Sequence, residues 1–317
     1  LAGRGLSHYQ VDERLTDQPR WHGQSLAMHY LAALGDPSPV VDTLLEREDP
    51  IIERNLTQMS RWLKDTPQKG KWRGKVLTTL ATFLQDDTRP LGLRGQMITG
   101  LALSGDKNIA ALFRQLLQAK STYVTQLAAL GSGLMQDKKA VPVLSDQLGK
   151  TRNTYTASAI CLALSAIGTD PALETLATFL MQGEENVRRA VAEAFANHPE
   201  EGWDTLKEAL EIDDILLRRS AVYGLARVKQ PWAKELLEHT QIEDKEWAVR
   251  DIAANMLEQE KKTNPRIPRP LSPPSETPWL ITFAGQQGMG ISPGAPATDI
   301  LLNALKIGLE LALLERL

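Results

Sequence analysis

The feature that most constrains the fold is a segment that returns about every thirty residues. Asn186-Val187-Arg188-Arg189-Ala190-Val191-Ala192 returns as Leu216-Leu217-Arg218-Arg219-Ser220-Ala221-Val222, and again as Ala248-Val249-Arg250-Asp251-Ile252-Ala253-Ala254. Leu93-Arg94-Gly95-Gln96-Met97-Ile98 fits the same frame, and Thr125 and Thr156 fill the places between. Positions 94, 125, 156, 188, 218 and 250 lie 30 to 32 residues apart. A second series of short amphipathic runs, centred on Leu44, Leu80, Leu112, Leu144, Leu176, Leu206 and Leu236, keeps the same beat. A fixed period of this length marks a stack of supersecondary units, because one unit cannot bury its apolar face alone and its neighbours must cover it.

Both halves of the unit carry apolar residues at i, i+3, i+4 and i+7, the spacing of an amphipathic helix. Turn signals separate them, as in Gly105-Asp106, Gln136-Asp137, Gly168-Thr169-Asp170-Pro171 and His198-Pro199-Glu200-Glu201-Gly202. Gly and Asn end helices while Asp and Pro open them. Aromatics make up 5% of the 317 residues, and Leu and Ala dominate the apolar set. That composition favours helix on helix over sheet. The fold expected is all-α: a right-handed α-α superhelix, a solenoid that resembles HEAT/armadillo-like arrays, with an extended insertion near its C-terminal end.

The chain divides accordingly into a lead-in at 1–19, a repeat array of about seven helix pairs at 20–262, a Pro/Gly-rich strap at 263–296 and a resumed helical repeat at 297–317. Residues 264–278 hold six prolines in fifteen, which rules out helix and predicts an extended spacer. Leu1 at the start and a helix-like run at the end are expected of a fragment of a longer polypeptide. Residues 300–317 carry Asn303, Lys306, Glu310, Glu315 and Arg316, too polar for a membrane span.

The recurring arginines suggest a structural ladder of Arg94, Arg188, Arg218 and Arg250. Glu184, Asp214 and Glu246 each precede an arginine by four residues, the favourable order for a helical ion pair. The alternative for such a ladder is an anionic partner. The densest basic cluster, Lys69, Lys71, Trp72, Arg73 and Lys75, reads as a solvated loop or as a contact patch for an acidic partner. Trp203 and Trp232 recur at the entry to second helices and are expected to wedge into the core.

Nothing in the chain assembles a catalytic, cofactor or metal site. The five histidines form no His-x-x-x-His pair, one cysteine, Cys161, cannot make a CxxC, and no Gly-x-Ser-x-Gly elbow occurs. Gly285-Gln286-Gln287-Gly288-Met289-Gly290 lacks the Gly-Lys-Ser/Thr ending of a phosphate loop. Net charge −3 and pI about 6.0 argue against nucleic acid as the partner. Cys161, within an apolar helical run, reads as a small buried hydrophobe.

A period near thirty with Val-Arg-x-Ala first helices resembles the HEAT-like repeat of the phycobilisome-lyase type, over roughly residues 20–260. Met59-Ser60-Arg61-Trp62-Leu63, Asn197-His198-Pro199-Glu200-Glu201-Gly202, Asp213-Asp214-Ile215-Leu216-Leu217-Arg218-Arg219, Pro231-Trp232-Ala233 and Pro278-Trp279-Leu280-Ile281 resemble the helical sensor half of bacterial NACHT-type (STAND) signalling NTPases. That resemblance implies a non-catalytic, cytoplasmic sensor or scaffold array. Its partner would be another protein or its own N-terminal nucleotide-binding module. The competing resemblances are a phycobilin lyase and a HEAT-like DNA glycosylase. The latter needs a basic concave track, which the low pI does not favour.

Overall fold

The computed structural model describes residues 24–47 and 53–261. The lead-in, the strap, the Gly-rich segment and the resumed repeat expected from the sequence lie outside them. The described chain is an α-solenoid of fifteen α-helices and one short 3-10 turn. The first helices of successive pairs are α1 (Gln24–Leu34), α3 (Arg54–Asp65), α5 (Leu91–Leu103), α7 (Thr122–Leu134), α9 (Thr154–Ile167), α11 (Glu185–Phe195), α13 (Ile215–Leu225) and α15 (Trp247–Lys261). The second helices are α2 (Ser38–Glu46), α4 (Lys71–Gln85), α6 (Asn108–Leu116), α8 (Val141–Lys150), α10 (Asp170–Gln182), α12 (Glu201–Glu211) and α14 (Pro231–Glu243).

The chain forms two compact units that divide after Phe113. In the first, α3 packs on α1 and α5, and α4 lies across α3 and α5. Met59, Trp62, Leu63, Val76, Leu80, Leu84, Met97 and Ile98 are fully buried there. In the second, each of α7, α9, α11 and α13 packs on the next first helix, and α8, α10, α12 and α14 lie behind them. A first helix therefore has first-helix neighbours on its flanks and second helices at its back. In α9, ten of fourteen residues are buried, which is why its sequence, rich in Ala, Ile and Leu, shows little polar face.

The helix ends follow from local chemistry. Ser121 Oγ accepts the Val124 N–H at 3.3 Å, Asn153 Oδ1 the Thr156 N–H at 3.0 Å, and Asp214 Oδ1 those of Leu216 and Leu217 at 2.8 and 3.1 Å. These caps satisfy amides that have no partner within the helix. Prolines open α2, α8, α10 and α14, where a missing N–H costs nothing. Gly168 ends α9 with φ +60°, a left-handed turn that only glycine takes without strain.

Counting from the helix starts corrects one register position. Arg94, Thr125, Arg188, Arg218 and Arg250 are each the fourth residue of their helix, but in α9 that place belongs to Ala157. Thr156, chosen from the sequence, stands one residue earlier, its amide tied to the Asn153 cap.

Gly224 shows how closely first helices approach. A Cβ there would lie 2.6 Å from the Ala192 carbonyl oxygen on α11 and 2.6 Å from a Leu206 methyl on α12. Gly224→Ala is expected to lower stability by about 1–3 kcal/mol through overpacking, outweighing alanine's helix propensity advantage of about 1 kcal/mol. Urea melts test this. A midpoint unchanged or raised would mean that α11 and α13 separate without cost.

Candidate interaction surfaces

The arginine ladder is built differently from the spacing that suggested it. Each arginine reaches back to the end of the preceding second helix. Arg94 Nε donates to the Leu84 carbonyl at 2.9 Å and Arg188 Nε to that of Gly183 at 2.8 Å. Arg218 Nη1 donates to the Ile212 carbonyl at 3.0 Å, and Arg250 Nη1 to that of Asp244 at 2.5 Å. These carbonyls end α4, α10, α12 and α14, where a helix leaves acceptors without partners and a guanidinium suits the negative end of the dipole.

The acids four residues upstream are not the arginines' partners. Arg188 pairs with Asp214 at 3.0 Å and Arg218 with Asp244 at 2.9 Å, each carboxylate 26 residues further on. Arg94 pairs with Asp87 at 2.9 Å. Glu184 instead pairs with Arg152, and among the described residues no ion pair joins Glu246 to Arg250. The reason is geometric. Asp214 turns toward the first free amides of its own helix and Glu184 toward Arg152, while the arginine one turn later extends along the stack. Asp214 does both jobs, capping α13 and receiving Arg188. Burial works to raise its pKa, yet the Leu216 and Leu217 amides and the Arg188 cation hold the carboxyl below its usual range.

The basic cluster does not form one patch. Lys71 to Lys75 are the first turn of α4, and a 100° step per residue scatters them around it. Trp72 and Arg73 are each 4% exposed, whereas Lys69, Lys71 and Lys75 are exposed and Lys75 pairs with Asp42 at 2.8 Å. Trp72 packs edge-on against Trp62 with ring centroids 6.3 Å apart. Arg73 belongs with the structural arginines. It donates to the Leu63 carbonyl at 2.9 Å, Thr66 Oγ1 at 2.6 Å and the Ser104 carbonyl at 2.5 Å, so one guanidinium ties the ends of α3 and α5. Burial draws its pKa below the usual arginine value, with Asp106 opposing. A polar cleft of about 230 Å³ opens beside it, lined by Gln68, Asp106 and Lys107.

Three features were missed in the sequence. Across α11 and α13, Arg219 meets Glu185 at 3.0 Å, Arg189 lies 4.0 Å over the Tyr223 ring, and Arg227 meets Glu193 at 3.5 Å. The pairs repeat every four residues with a constant offset of 34 (219−185, 223−189 and 227−193), so superposing the two repeats would have revealed them. Second, large apolar side chains stand exposed in the first turn of several first helices: Tyr123 at 51%, Tyr155 at 55%, Ile215 at 38% and Trp247 at 70%. Third, Trp203 and Trp232 do not wedge into the core as expected. They meet half-buried between α12 and α14, centroids 5.6 Å apart and ring planes tilted by 58°, with the Trp203 indole N–H donating to the Ala196 carbonyl at 2.9 Å.

Cys161 is buried and its thiol pKa is pushed far up by desolvation. Among the described residues no three His, Cys, Asp or Glu side chains are grouped to hold a metal, and no helix is long and apolar enough to cross a membrane.

Residues 109–196 match the family model for HEAT repeats. No curated protein matches the chain. Among solved structures, the complex of CpcE and CpcF of phycocyanin lyase from Nostoc sp. PCC7120 is 20% identical with a TM-score of 0.37, over 70% of this chain and 94% of that one. Human deoxyhypusine hydroxylase in complex with glycerol is 18% identical with a TM-score of 0.29, over 81% of this chain and 96% of that one. An engineered protein is 17% identical with a TM-score of 0.30, over 79% of this chain and 77% of that one.

Proposed function

We propose that this α-solenoid, which carries HEAT repeats, is a protein-binding scaffold, and that partners are engaged along the first turns of its first helices. The observation that carries this reading is the recurrence of exposed Tyr123, Tyr155, Ile215 and Trp247 near the start of α7, α9, α13 and α15. Single exposed apolar residues are ordinary, but here four of the five first helices from α7 to α15 carry one at their first or second residue. Tyrosine and tryptophan are the residues that interfaces enrich, since they contribute large area at low entropic cost. In α13 and α15 the ladder arginines Arg218 and Arg250 tie these helices to the ends of the preceding second helices, which fixes where Ile215 and Trp247 stand.

The finer reading extends this proposal. The resemblance of several phrases to NACHT-type NTPases supports reading the array as the non-catalytic sensor of a larger cytoplasmic signalling protein. Its partner is then either another protein or its own nucleotide-binding module.

Photo-crosslinking tests the contact row. A benzophenone amino acid at Tyr155 is expected to capture a discrete protein from the native host, whereas the same group at exposed Thr178 on α10 captures none. Equal capture at both positions, or capture at 178 alone, would remove the first-turn row from the reading.

A further inference from the structure

We infer that the outer face of α12 and α14 is a second interaction surface, shaped for a lysine- or arginine-rich segment of a protein partner. These two helices carry seven acidic residues, Glu201, Asp204, Glu208, Glu211, Glu235, Glu238 and Glu243, against two lysines. All seven are exposed. Both lysines are used internally: Lys207 pairs with Asp204 at 2.9 Å and Lys234 lies 4.0 Å from Glu238. Glu208, Glu211, Glu235 and Glu243 pair with no cation among the described residues. A chain of net charge −3 therefore concentrates a larger negative charge on one pair of helices. Like charges held together on a surface cost stability, and a cationic partner relieves that cost and is drawn in by the same field.

Charge alone would make this a solvated face. The aromatic pair within it sets it apart. Trp203 and Trp232 meet in the seam between the two helices, half-buried, and the Lys207 ammonium sits 4.6 Å from the Trp232 ring centroid. The seam thus already holds a cation on an indole face with a carboxylate beside it, the two elements that recognise an ammonium or guanidinium group. An incoming basic side chain takes the place of Lys207, whose flexible stem lets it swing aside. The outer surface of these helices is separate from the first-turn row, so this inference does not depend on the proposed function. The same negative field repels nucleic acid, which leaves a basic protein segment as the occupant that fits.

The test is titration of the full chain with a fluorescent oligolysine peptide, with oligoglutamate as control. Saturable binding of oligolysine that weakens with salt is expected, and none of oligoglutamate. Trp232→Leu changes no charge, yet should weaken binding about tenfold by removing the ring, a loss within the range of a desolvated cation–π contact. Glu208→Gln with Glu235→Gln, at exposed positions that leave folding intact, should weaken it several-fold. Oligolysine binding equal in wild type and both variants would overturn the inference, as would the absence of saturable binding. Should Trp232→Leu unfold, the glutamine pair decides alone. The sequence also holds Lys262, Arg266 and Arg269 just beyond α15. Replacing those three by glutamine in the full chain should change oligolysine affinity by the same factor with Trp232 and with Trp232→Leu, since only the long-range field differs; a tightening confined to the chain with Trp232 intact would mean that the chain's own basic segment is the occupant instead of a partner.

Discussion

Arg218→Ala is expected to cost about 3–5 kcal/mol, the range for removing one member of a buried ion pair. The side chains of Arg218 and Asp244 are 5% and 9% exposed, and the contact joins α13 to the loop that opens α15. Truncation leaves the Asp244 carboxylate buried with only the Glu246 amide donating to it at 2.8 Å, and leaves the Ile212 carbonyl at the end of α12 with only the Asp214 amide, also at 2.8 Å. Desolvating an uncompensated carboxylate dominates that cost. Two controls separate it from loss of contact. Arg152→Ala breaks the ion pair with Glu184, whose side chains are 79% and 66% exposed, and should cost no more than about 1 kcal/mol. Arg218→Met with Asp244→Leu removes both charges and should recover most of the loss, because an apolar replacement of a buried pair is often nearly neutral. Urea melts of the four proteins decide the matter. A loss below about 1 kcal/mol for Arg218→Ala would show that Asp244 finds water in place of the guanidinium.

The contrast between these pairs shows what was legible in the sequence. The beat of thirty to thirty-two residues placed the first and second helices, because amphipathic spacing, Pro at helix starts and Gly or Asn at helix ends are local signals. Arg94, Arg188, Arg218 and Arg250 stand where that beat placed them, at the fourth residue of their helices. Their partners were not legible by helical spacing. Asp214 and Asp244 lie 26 residues beyond Arg188 and Arg218, nearly a full repeat, and neighbours at that separation meet only once the units are stacked. Thr156, being polar, resembles a ladder member and Ala157 does not, yet the true place, counted from the Asn153 cap, is that of Ala157.

The basic cluster misled for a related reason. Gly70 and Gly74 on either side of Lys71-Trp72-Arg73 suggest a loop, in which all five cluster residues would face water. The helix begins at Lys71, and Gly74 lies within it at a place where an added Cβ meets nothing within 4 Å. Helical twist then sends Trp72 and Arg73 inward and the lysines outward. The surfaces that stand out in the structure, the exposed first-turn aromatics and the acidic seam around Trp203 and Trp232, depend on which side of each helix remains uncovered. Periodicity gives a helix its apolar stripe. It does not say which residue at the edge of that stripe the neighbouring unit covers.

That distinction yields the second large effect. Leu176→Ala is expected to cost about 2–5 kcal/mol, since Leu176 is fully buried in α10 and its loss opens a cavity between neighbouring pairs. The sequence beat gives Leu144, Leu176, Leu206 and Leu236 the same standing, but the stack does not. Leu144 and Leu206 are as buried as Leu176, whereas Leu236 is only partly buried and Leu237, 4% exposed, turns inward in its place. Pro231 starts α14 after Gln230, and from that start the inward side falls on Ala233, Leu237 and Thr240, spaced four and three residues apart. Leu237→Ala should therefore approach the cost of Leu176→Ala, and Leu236→Ala should cost distinctly less, about 1 kcal/mol, because part of its area is in water in the folded state already. Repeat stability is a sum of unit and neighbour terms, so Leu176→Ala should also loosen the adjoining helices first. Hydrogen exchange should lose protection in α9 to α11 before α15. Equal costs at 236 and 237 would mean that α14 is rotated on its axis relative to the packing described. A cost below about 1 kcal/mol at 176 would mean that the second helices contribute little to the core.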